Sequence, residues 1–230
     1  MKALRILIGL FLAVMCFDSL LYAQDWPGLG RYQEANKELG APVPGEKRVV
    51  FMGNSITEGW GKKYPEFFEG KPYVNRGISG QTTPQMLIRF RQDVIDLAPA
   101  LVLIMAGTND IAGNTGPSTL EMIEDNIISM AELAKANGIK VILCSVLPAL
   151  DFGWKKGLEP ADKIIALNTL IKRYADKNGI PYLDYYSSLV DKQKGLDVKY
   201  STDGVHPTRA GYEVMSPLAD EAIKKALTGG

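Results

Sequence analysis

The chain has 230 residues, of which 46% are apolar and 23% charged, and its 26 basic residues balance 26 acidic ones. This composition is that of an ordinary globular protein, and the length suits one domain or two small ones. A net charge of zero provides no field that would steer the chain toward nucleic acid or an anionic membrane. One histidine and two cysteines exclude a histidine-based metal cluster, a Cys/His zinc site and a disulfide framework.

The first 23 residues have the pattern of a secretory signal peptide. Lys2 and Arg5 precede an apolar run over residues 6–16, and a small residue, Ala23, ends the segment. The run is shorter than the roughly 20 residues that a membrane-spanning helix needs. We therefore expect export, with no stable membrane insertion after cleavage. An uncleaved anchor is an alternative, and so is lipidation at Cys16, which the large residue before it disfavours.

Past residue 23, short apolar runs alternate with longer segments of helical periodicity. Strands are predicted over residues 48–52, 73–75, 101–105, 140–145 and 181–184. Helices are predicted over residues 83–97, 118–137, 160–178 and 209–227. Pro84 marks the start of the first helix, and the spacing of Ser118 and Glu121 predicts a capping box at the start of the second.

The alternation of these elements indicates the class of fold. Strands that are apolar on both faces and are separated by helices are typical of a parallel sheet that is covered on both sides. No repeat or linker divides the chain, so one domain is predicted over residues 46–230. Residues 24–45 are polar, and we expect them to form an irregular arm ahead of that domain.

Polar or glycine-rich segments follow three of the predicted strands, and a fourth precedes the last helix. They read GNSITE from residue 53, NRGISGQT from residue 75, GTND from residue 107 and DGVHP from residue 203. Taken singly, each has a structural explanation as a βα turn or a helix cap. However, open parallel sheets bind ligands outside the carboxyl ends of their strands. We therefore expect the four segments to meet at one site.

Together the segments supply the groups that acyl transfer requires. A serine hydroxyl becomes a good nucleophile when a base takes its proton, and the base needs a third group that fixes its tautomer. His206 is the only histidine in the chain, and Asp203 lies three residues before it. The candidate donors to an oxyanion are the backbone N–H groups of Ser55 and Gly80 and the side-chain amide of Asn109.

These four segments resemble, in order and in spacing, the sequence blocks of the SGNH/GDSL hydrolase superfamily. The resemblance implies a flavodoxin-like three-layer α/β/α sandwich with a five-stranded parallel sheet, and a serine esterase that uses no metal or organic cofactor. It implies a nucleophile at Ser55, a triad completed by Asp203 and His206, and an oxyanion hole completed by Gly80 and Asn109. Asn54 stands where the Gly-Asp-Ser block has aspartate, as in the branch that resembles platelet-activating-factor acetylhydrolase and bacterial carbohydrate esterases.

The sequence leaves the substrate open. Loops over residues 111–117 and 147–160 are predicted to form the pocket walls. The second loop carries Phe152 and Trp154, which are candidates to stack on a sugar ring or line an acyl channel, or simply to pack against the domain. Two further candidate substrate contacts are Asn54 and Arg76, of which Arg76 could instead pair with a surface carboxylate. The small, polar first loop favours a short acyl group.

Three functional hypotheses follow. The first is an exported esterase that removes short acyl groups, acetyl above all, from a glycan or another small-molecule ester. The second is a lysophospholipase or lipid acylhydrolase, and the third is a non-catalytic carbohydrate-binding relative. Transfer of the acyl group to a sugar instead of water stays open because the same acyl-enzyme serves both reactions. The oligomeric state is also left open.

Overall fold

The computed structural model describes residues 25–228. The predicted signal peptide over residues 1–23 lies outside the described residues. The strands are β1 (Val49–Gly53), β2 (Tyr73–Gly77), β3 (Leu101–Met105), β4 (Lys140–Cys144) and β5 (Tyr182–Leu183). They form one parallel sheet in the order β2-β1-β3-β4-β5. The expectation of a five-stranded parallel sheet is confirmed.

Eight α-helices connect and flank the strands within residues 25–228. They are α1 (Gln33–Leu39), α2 (Ser55–Lys63), α3 (Thr83–Asp93), α4 (Thr108–Ile111), α5 (Leu120–Ala136), α6 (Ala161–Lys177), α7 (Tyr186–Leu189) and α8 (Arg209–Thr228). Short 3-10 turns lie at Pro65–Phe67 and Ile95–Leu97. None of the helices in this part of the chain is both long and apolar enough to cross a membrane.

The sheet separates two hydrophobic cores. Successive strand residues point to opposite faces, so Val50 and Met52 pack with α3, α5 and α6, whereas Val49 and Phe51 pack with α2, α7 and α8. All residues of β1 and β3 are buried, as expected for strands that helices cover on both sides. The predicted three-layer α/β/α sandwich is therefore confirmed.

Two predicted helix boundaries need correction. The cap of α5 is Thr119 rather than Ser118, and its Oγ1 accepts a hydrogen bond from the N–H of Met122 at 3.2 Å. Serine and threonine cap helices in the same way, so the adjacent pair left the start ambiguous by one residue. The helix predicted to run to residue 97 ends at Asp93, and its last residues form the 3-10 turn Ile95–Leu97 instead.

The arm over residues 24–45 is not irregular throughout, because it contains α1. No residue of α1 is buried, so no apolar periodicity marks this helix in the sequence. Hydrogen bonds hold it against the domain, and Leu39 at its end is partly buried against the core. Asn36 Nδ2 donates to Asp93 Oδ1 at 2.8 Å, and the Tyr32 hydroxyl donates to the carbonyl oxygen of Gly77. The arm consequently lies beside α3 and the end of the edge strand β2.

Candidate active site

The ends of three neighbouring strands bring the first three segments together. Pairing in register places Gly53, Gly77 and Met105 side by side at the carboxyl ends of β1, β2 and β3. Helix α2 packs directly on this edge, because a Cβ at position 77 would lie 2.2 Å from the backbone nitrogen of Glu58. Only glycine at this position allows the helix that begins with Ser55 to approach β2 so closely.

Ser55 is the first residue of α2, and Asn54 caps the helix. The Asn54 Oδ1 accepts a hydrogen bond from the N–H of Ile56 at 3.0 Å. Amides in the first turn of a helix have no partner within the helix and attract negative charge. Asn54 itself is only 2% exposed, so the structure does not support its assignment as a substrate contact. Its oxygen is occupied by capping.

Ser55, His206 and Asp203 form one hydrogen-bonded chain. Ser55 Oγ lies 2.9 Å from His206 Nε2, and His206 Nδ1 lies 2.7 Å from Asp203 Oδ2. The other carboxylate oxygen, Asp203 Oδ1, accepts the backbone N–H groups of Val205 at 2.9 Å and His206 at 2.8 Å. The turn before α8 thus places a base against a serine that is 151 residues away in the chain.

The hydrogen bonds around Asp203 keep it ionised. Partial burial raises the pKa of this carboxyl, but the backbone and ring N–H groups of His206 and the N–H of Val205 outweigh burial and hold the pKa well below its ordinary value. A carboxylate at this position accepts a proton-bearing Nδ1. The lone pair of Nε2 then faces the Ser55 hydroxyl.

Ser201 braces the same turn and was not singled out by the sequence patterns. It is 4% exposed. Its hydroxyl lies 3.1 Å from Asp203 Oδ1 and 2.9 Å from the carbonyl oxygen of His206, and it accepts the N–H of Gly204 at 3.0 Å. Serine is common in turns, so only the closeness of Ser201 to the DGVHP segment could have drawn attention to it.

The turn that carries Gly80 is held by hydrogen bonds from several elements. Gly80 has a left-handed φ of 78°, and among residues 25–228 no heavy atom outside Gly80 and its two chain neighbours lies within 4 Å of where its Cβ would be. The side-chain Nδ2 of Asn109, which is 3% exposed, donates to the carbonyl oxygen of Gln81 at 2.9 Å. The structure therefore brings the three predicted oxyanion residues to the same strand edge.

A buried arginine connects these segments beneath the surface. Arg89 is fully buried, and its guanidinium donates to Gln81 Oε1 at 2.6 Å and to Asp93 Oδ2 at 2.9 Å. It also donates to the carbonyl oxygens of Gly53 at 3.0 Å and Arg76 at 2.9 Å. No pattern in the sequence indicates this role, because an arginine on an amphipathic helix is normally exposed.

Trp154 and Phe152 have different surroundings despite being two residues apart. The Trp154 side chain is half exposed, and its ring centroid lies 6.1 Å from that of His206. Phe152 is fully buried and stacks on Trp154 with 5.1 Å between ring centroids. The assignment of Phe152 as a substrate contact is therefore wrong, since its ring packs into the core. Trp154 remains a candidate wall of the site.

Arg76 does not face the site. It is 6% exposed, its Nε donates to Asn36 Oδ1 at 2.8 Å, and its guanidinium lies 4.7 Å from the centroid of the Tyr32 ring. Burial lowers the pKa of Arg76. The arm over residues 24–45 thus covers this side chain, and the expectation that it meets a substrate group or a surface carboxylate is corrected.

The acidic group beside Asn109 accepts hydrogen bonds from Thr83. Within the part of the chain that the structure describes, no group of three or more His, Cys, Asp and Glu side chains is placed to hold a metal ion. Asp110, beside Asn109, accepts the backbone N–H of Thr83 at 2.9 Å and the Thr83 hydroxyl at 2.6 Å. Burial raises the pKa of this carboxyl.

The chain is similar to known proteins both in sequence and in fold. The sequence model of the GDSL-like lipase/acylhydrolase family matches residues 51–214. The chain is similar to a candidate acylhydrolase from Bacteroides fragilis, with a TM-score of 0.87 and 55% identity over 89% of this chain and 99% of that one. It is also similar to a GDSL-like lipase from Bacteroides thetaiotaomicron, with a TM-score of 0.85 and 54% identity over 87% of this chain and 99% of that one.

One of the curated relatives is an acetylxylan esterase by name. The acetylxylan esterase of Xylanibacter ruminicola is 28% identical over 226 residues, which cover 82% of this chain and 45% of the relative. The chain spans about half the length of the curated relatives that it matches first, 56% of one and 45% of the other. The relatives' full-length activities therefore do not transfer directly.

Proposed function

This chain belongs to the GDSL-like lipase/acylhydrolase family of ester hydrolases, and on that premise we propose that it is an exported esterase that removes short acyl groups from carbohydrate. The observation that carries the proposal is the chain of hydrogen bonds from Ser55 through His206 to Asp203, with distances of 2.9 and 2.7 Å. No cofactor enters the proposed mechanism.

The proposed reaction begins at the Ser55 hydroxyl. Ser55 Oγ attacks the ester carbonyl carbon while His206 Nε2 takes the hydroxyl proton, and the Asp203 carboxylate stabilises the resulting imidazolium. The tetrahedral intermediate expels the alcohol, which takes the proton from His206. Water then attacks the acyl-enzyme with His206 again as base, releasing the carboxylic acid and restoring Ser55.

The oxyanion of each tetrahedral intermediate needs hydrogen-bond donors that point at its oxygen. We assign the backbone N–H groups of Ser55 and Gly80 and the side-chain amide of Asn109. A primary amide has two N–H groups, and one of those of Asn109 holds the Gln81 carbonyl oxygen. The second is assigned to the oxyanion. Removing one such donor costs about 10²–10³ in kcat in comparable enzymes.

The rim of the site supports a short acyl group on a polar carrier. Asn114 and Thr115 are exposed on the loop after α4, and both offer hydrogen-bonding groups rather than apolar surface. Trp154 lies beside His206, which hands its proton to the leaving alcohol, so we assign Trp154 to the alcohol side of the ester. Aromatic rings in such positions pack against sugars, and one relative is named an acetylxylan esterase.

The predicted signal peptide supports the exported part of the proposal. With residues 1–23 removed, the arm and the domain over residues 46–230 would act outside the cytoplasm, where glycan esters are accessible. Mass spectrometry of the protein recovered from outside the cytoplasm tests this assignment. A mature N-terminus at residue 24 is expected, whereas a full-length protein retained inside cells would overturn it.

Chain-length preference tests the proposed activity. Purified protein is expected to hydrolyse an aryl acetate much faster than the aryl octanoate, with Ser55→Ala as the blank. A panel of acetylated xylooligosaccharides, sialic acid esters and a lysophospholipid then identifies the carrier. Faster hydrolysis of octanoate and of lysophospholipid would replace the proposal with a lipid acylhydrolase.

Labelling by a fluorophosphonate separates an enzyme from a binding protein. Such probes react with a serine that a neighbouring base activates. The native protein should be labelled, and Ser55→Ala should not be. Equal labelling of both would mean that a residue other than Ser55 reacts, and labelling of neither would favour the non-catalytic relative; either result would contradict the assignment of Ser55 as the nucleophile.

A further inference from the structure

Asn114 connects the two loops that were predicted to form the walls of the site. Its Oδ1 accepts a hydrogen bond from the indole N–H of Trp154 at 3.0 Å. Its Nδ2 donates to the carbonyl oxygen of Gly80 at 3.2 Å. One side-chain amide therefore contacts both the aromatic wall beside His206 and the turn that carries the proposed oxyanion donor.

The Gly80 turn has one internal hydrogen bond, from the N–H of Gln81 to the carbonyl oxygen of Ile78 at 3.4 Å, and further support from outside. Glycine constrains its own backbone less than any other residue, so the direction of the Gly80 N–H depends on what holds the peptides on either side of it. On one side, the N–H of Ser79 donates to Glu58 Oε2 at 3.0 Å, and Glu58 lies on the helix that begins with Ser55. On the other side, the Gly80 carbonyl oxygen is held by Asn114.

The position of Asn114 is itself well determined. Its backbone N–H donates to the carbonyl oxygen of Asn109 at 3.0 Å, and Thr115 Oγ1 lies 2.9 Å from Thr82 Oγ1. Trp154 stacks on the fully buried Phe152. Asn114 therefore receives a fixed backbone from one loop and a fixed side-chain partner from the other.

Resting on the proposed function, we propose that Asn114 is a positioning residue that orients the Gly80 N–H toward the oxyanion and links that orientation to the Trp154 wall. Asn114 touches no reacting atom and acts through the Gly80 peptide. Without Asn114 the Gly80 N–H is held less firmly toward the oxyanion. Because the oxyanion forms only in the transition state, binding of the transition state weakens more than binding of the substrate. A loss in kcat with little change in KM is the consequence.

Two variants of Asn114 separate its two hydrogen bonds. Asn114→Ala removes both, whereas Asn114→Asp keeps an acceptor for Trp154 but has no donor for Gly80. We expect both to lower kcat about 10- to 100-fold, because small misplacements in an active site have effects of this size. Trp154→Phe keeps the stacked ring and the Gly80 bond, so its effect on kcat should be smaller.

Asn137→Ala is the matched control. Asn137 also donates from Nδ2 to a backbone carbonyl oxygen, that of Leu133 at 2.7 Å. It follows α5 and precedes the amino end of β4, whereas the site lies at the carboxyl ends of the strands. The control variant should leave kcat unchanged. The thermal midpoints of the Asn114 variants should match that of the control, because Asn114 is exposed.

Binding of a phenylboronic acid distinguishes positioning from a general structural effect. Its tetrahedral adduct with Ser55 places a boron-bound oxygen where the oxyanion forms, so its inhibition constant should rise in Asn114→Ala by the factor that kcat/KM falls. The shape of the pH profile should not change. Wild-type kcat in both Asn114 variants, or lower kcat with unchanged boronate affinity, would overturn the proposal. A native protein that hydrolyses no ester would instead overturn the proposed function.

Discussion

The Nη2 atom of Arg89 donates a hydrogen bond to the carbonyl oxygen of Gly53 at 3.0 Å, two residues before Ser55. The same guanidinium holds Gln81, the residue after Gly80, at 2.6 Å. The proposed nucleophile and the proposed oxyanion turn are thus attached to one fully buried side chain on α3. Their relative position is set from the interior of the protein rather than from its surface.

Replacing Arg89 should destabilise the protein and impair activity together. Arg89→Ala leaves Asp93, which is also fully buried, without its main charge partner, and breaking such a pair costs about 3–5 kcal/mol. Urea unfolding monitored by circular dichroism measures the loss. Arg91→Ala on the exposed face of the same helix is the control. Equal unfolding midpoints for the two variants would contradict the assigned role.

Ser55 and His206 should act as a unit. Each single alanine variant is expected to lose several orders of magnitude in kcat, and the double variant little more, because the serine cannot be activated without the base. Steady-state hydrolysis of an aryl acetate measures all three. Multiplicative losses in the double variant would mean that the two residues do not cooperate.

The stability of the protein should fall in acid partly through Glu58. Partial burial raises the pKa of Glu58, but hydrogen bonds from Lys62 and Ser79 outweigh it and lower the pKa to about 2 from an ordinary value of 4.5. A lowered pKa in the folded state means that Glu58 contributes stability above about pH 4.5, and that this contribution disappears as the pH falls toward 2.

Glu58→Gln tests this dependence. The difference in unfolding free energy between the native protein and Glu58→Gln should be constant above about pH 4.5 and shrink as the pH is lowered. Urea titrations at several pH values measure it, with Glu38→Gln on the exposed helix α1 as the control. A difference that stays constant down to pH 2 would show that Glu58 gains nothing from its ionised form.

Phe152 and Trp154 should differ in what their removal affects. Phe152→Ala creates a cavity in the core and is expected to cost about 3–5 kcal/mol in unfolding free energy. Trp154→Ala should cost much less and raise KM several-fold for an acetylated oligosaccharide, but not for ethyl acetate. Trp26→Ala is the control, because Trp26 is 44% exposed and Trp154 48%. An unchanged KM would remove Trp154 from the substrate site.

The periodicity of the apolar residues was sufficient to predict the fold. Strands such as β3 are apolar throughout and the helices between them are amphipathic, and this pattern depends only on which residues each element buries. Four short helices, α1, α2, α4 and α7, were not predicted. α4 and α7 are single turns, no residue of α1 is fully buried, and α2 buries only two apolar side chains. Local signals also left the start of α5 uncertain between Ser118 and Thr119.

The sequence by itself determined the composition of the candidate site. The single histidine selected His206 and with it Asp203, and the resemblance to the SGNH/GDSL superfamily implied Ser55 as the nucleophile. Three of the four segments follow strands, and parallel strands bring their carboxyl ends to one edge of the sheet. Such sequence patterns do not tell which side chains from other parts of the chain a residue contacts in the folded protein.

Only the tertiary structure decided how the candidate residues are oriented. In the folded protein Asn54 caps a helix and the arm covers Arg76. Phe152 is buried, whereas Trp154 lies at the rim of the site. The tertiary structure also revealed Arg89, which bonds to Gly53 36 residues away, and Asn114, which bonds to Gly80 and Trp154, 34 and 40 residues away. A side chain's contacts depend on packing between distant segments, and no local pattern records that packing.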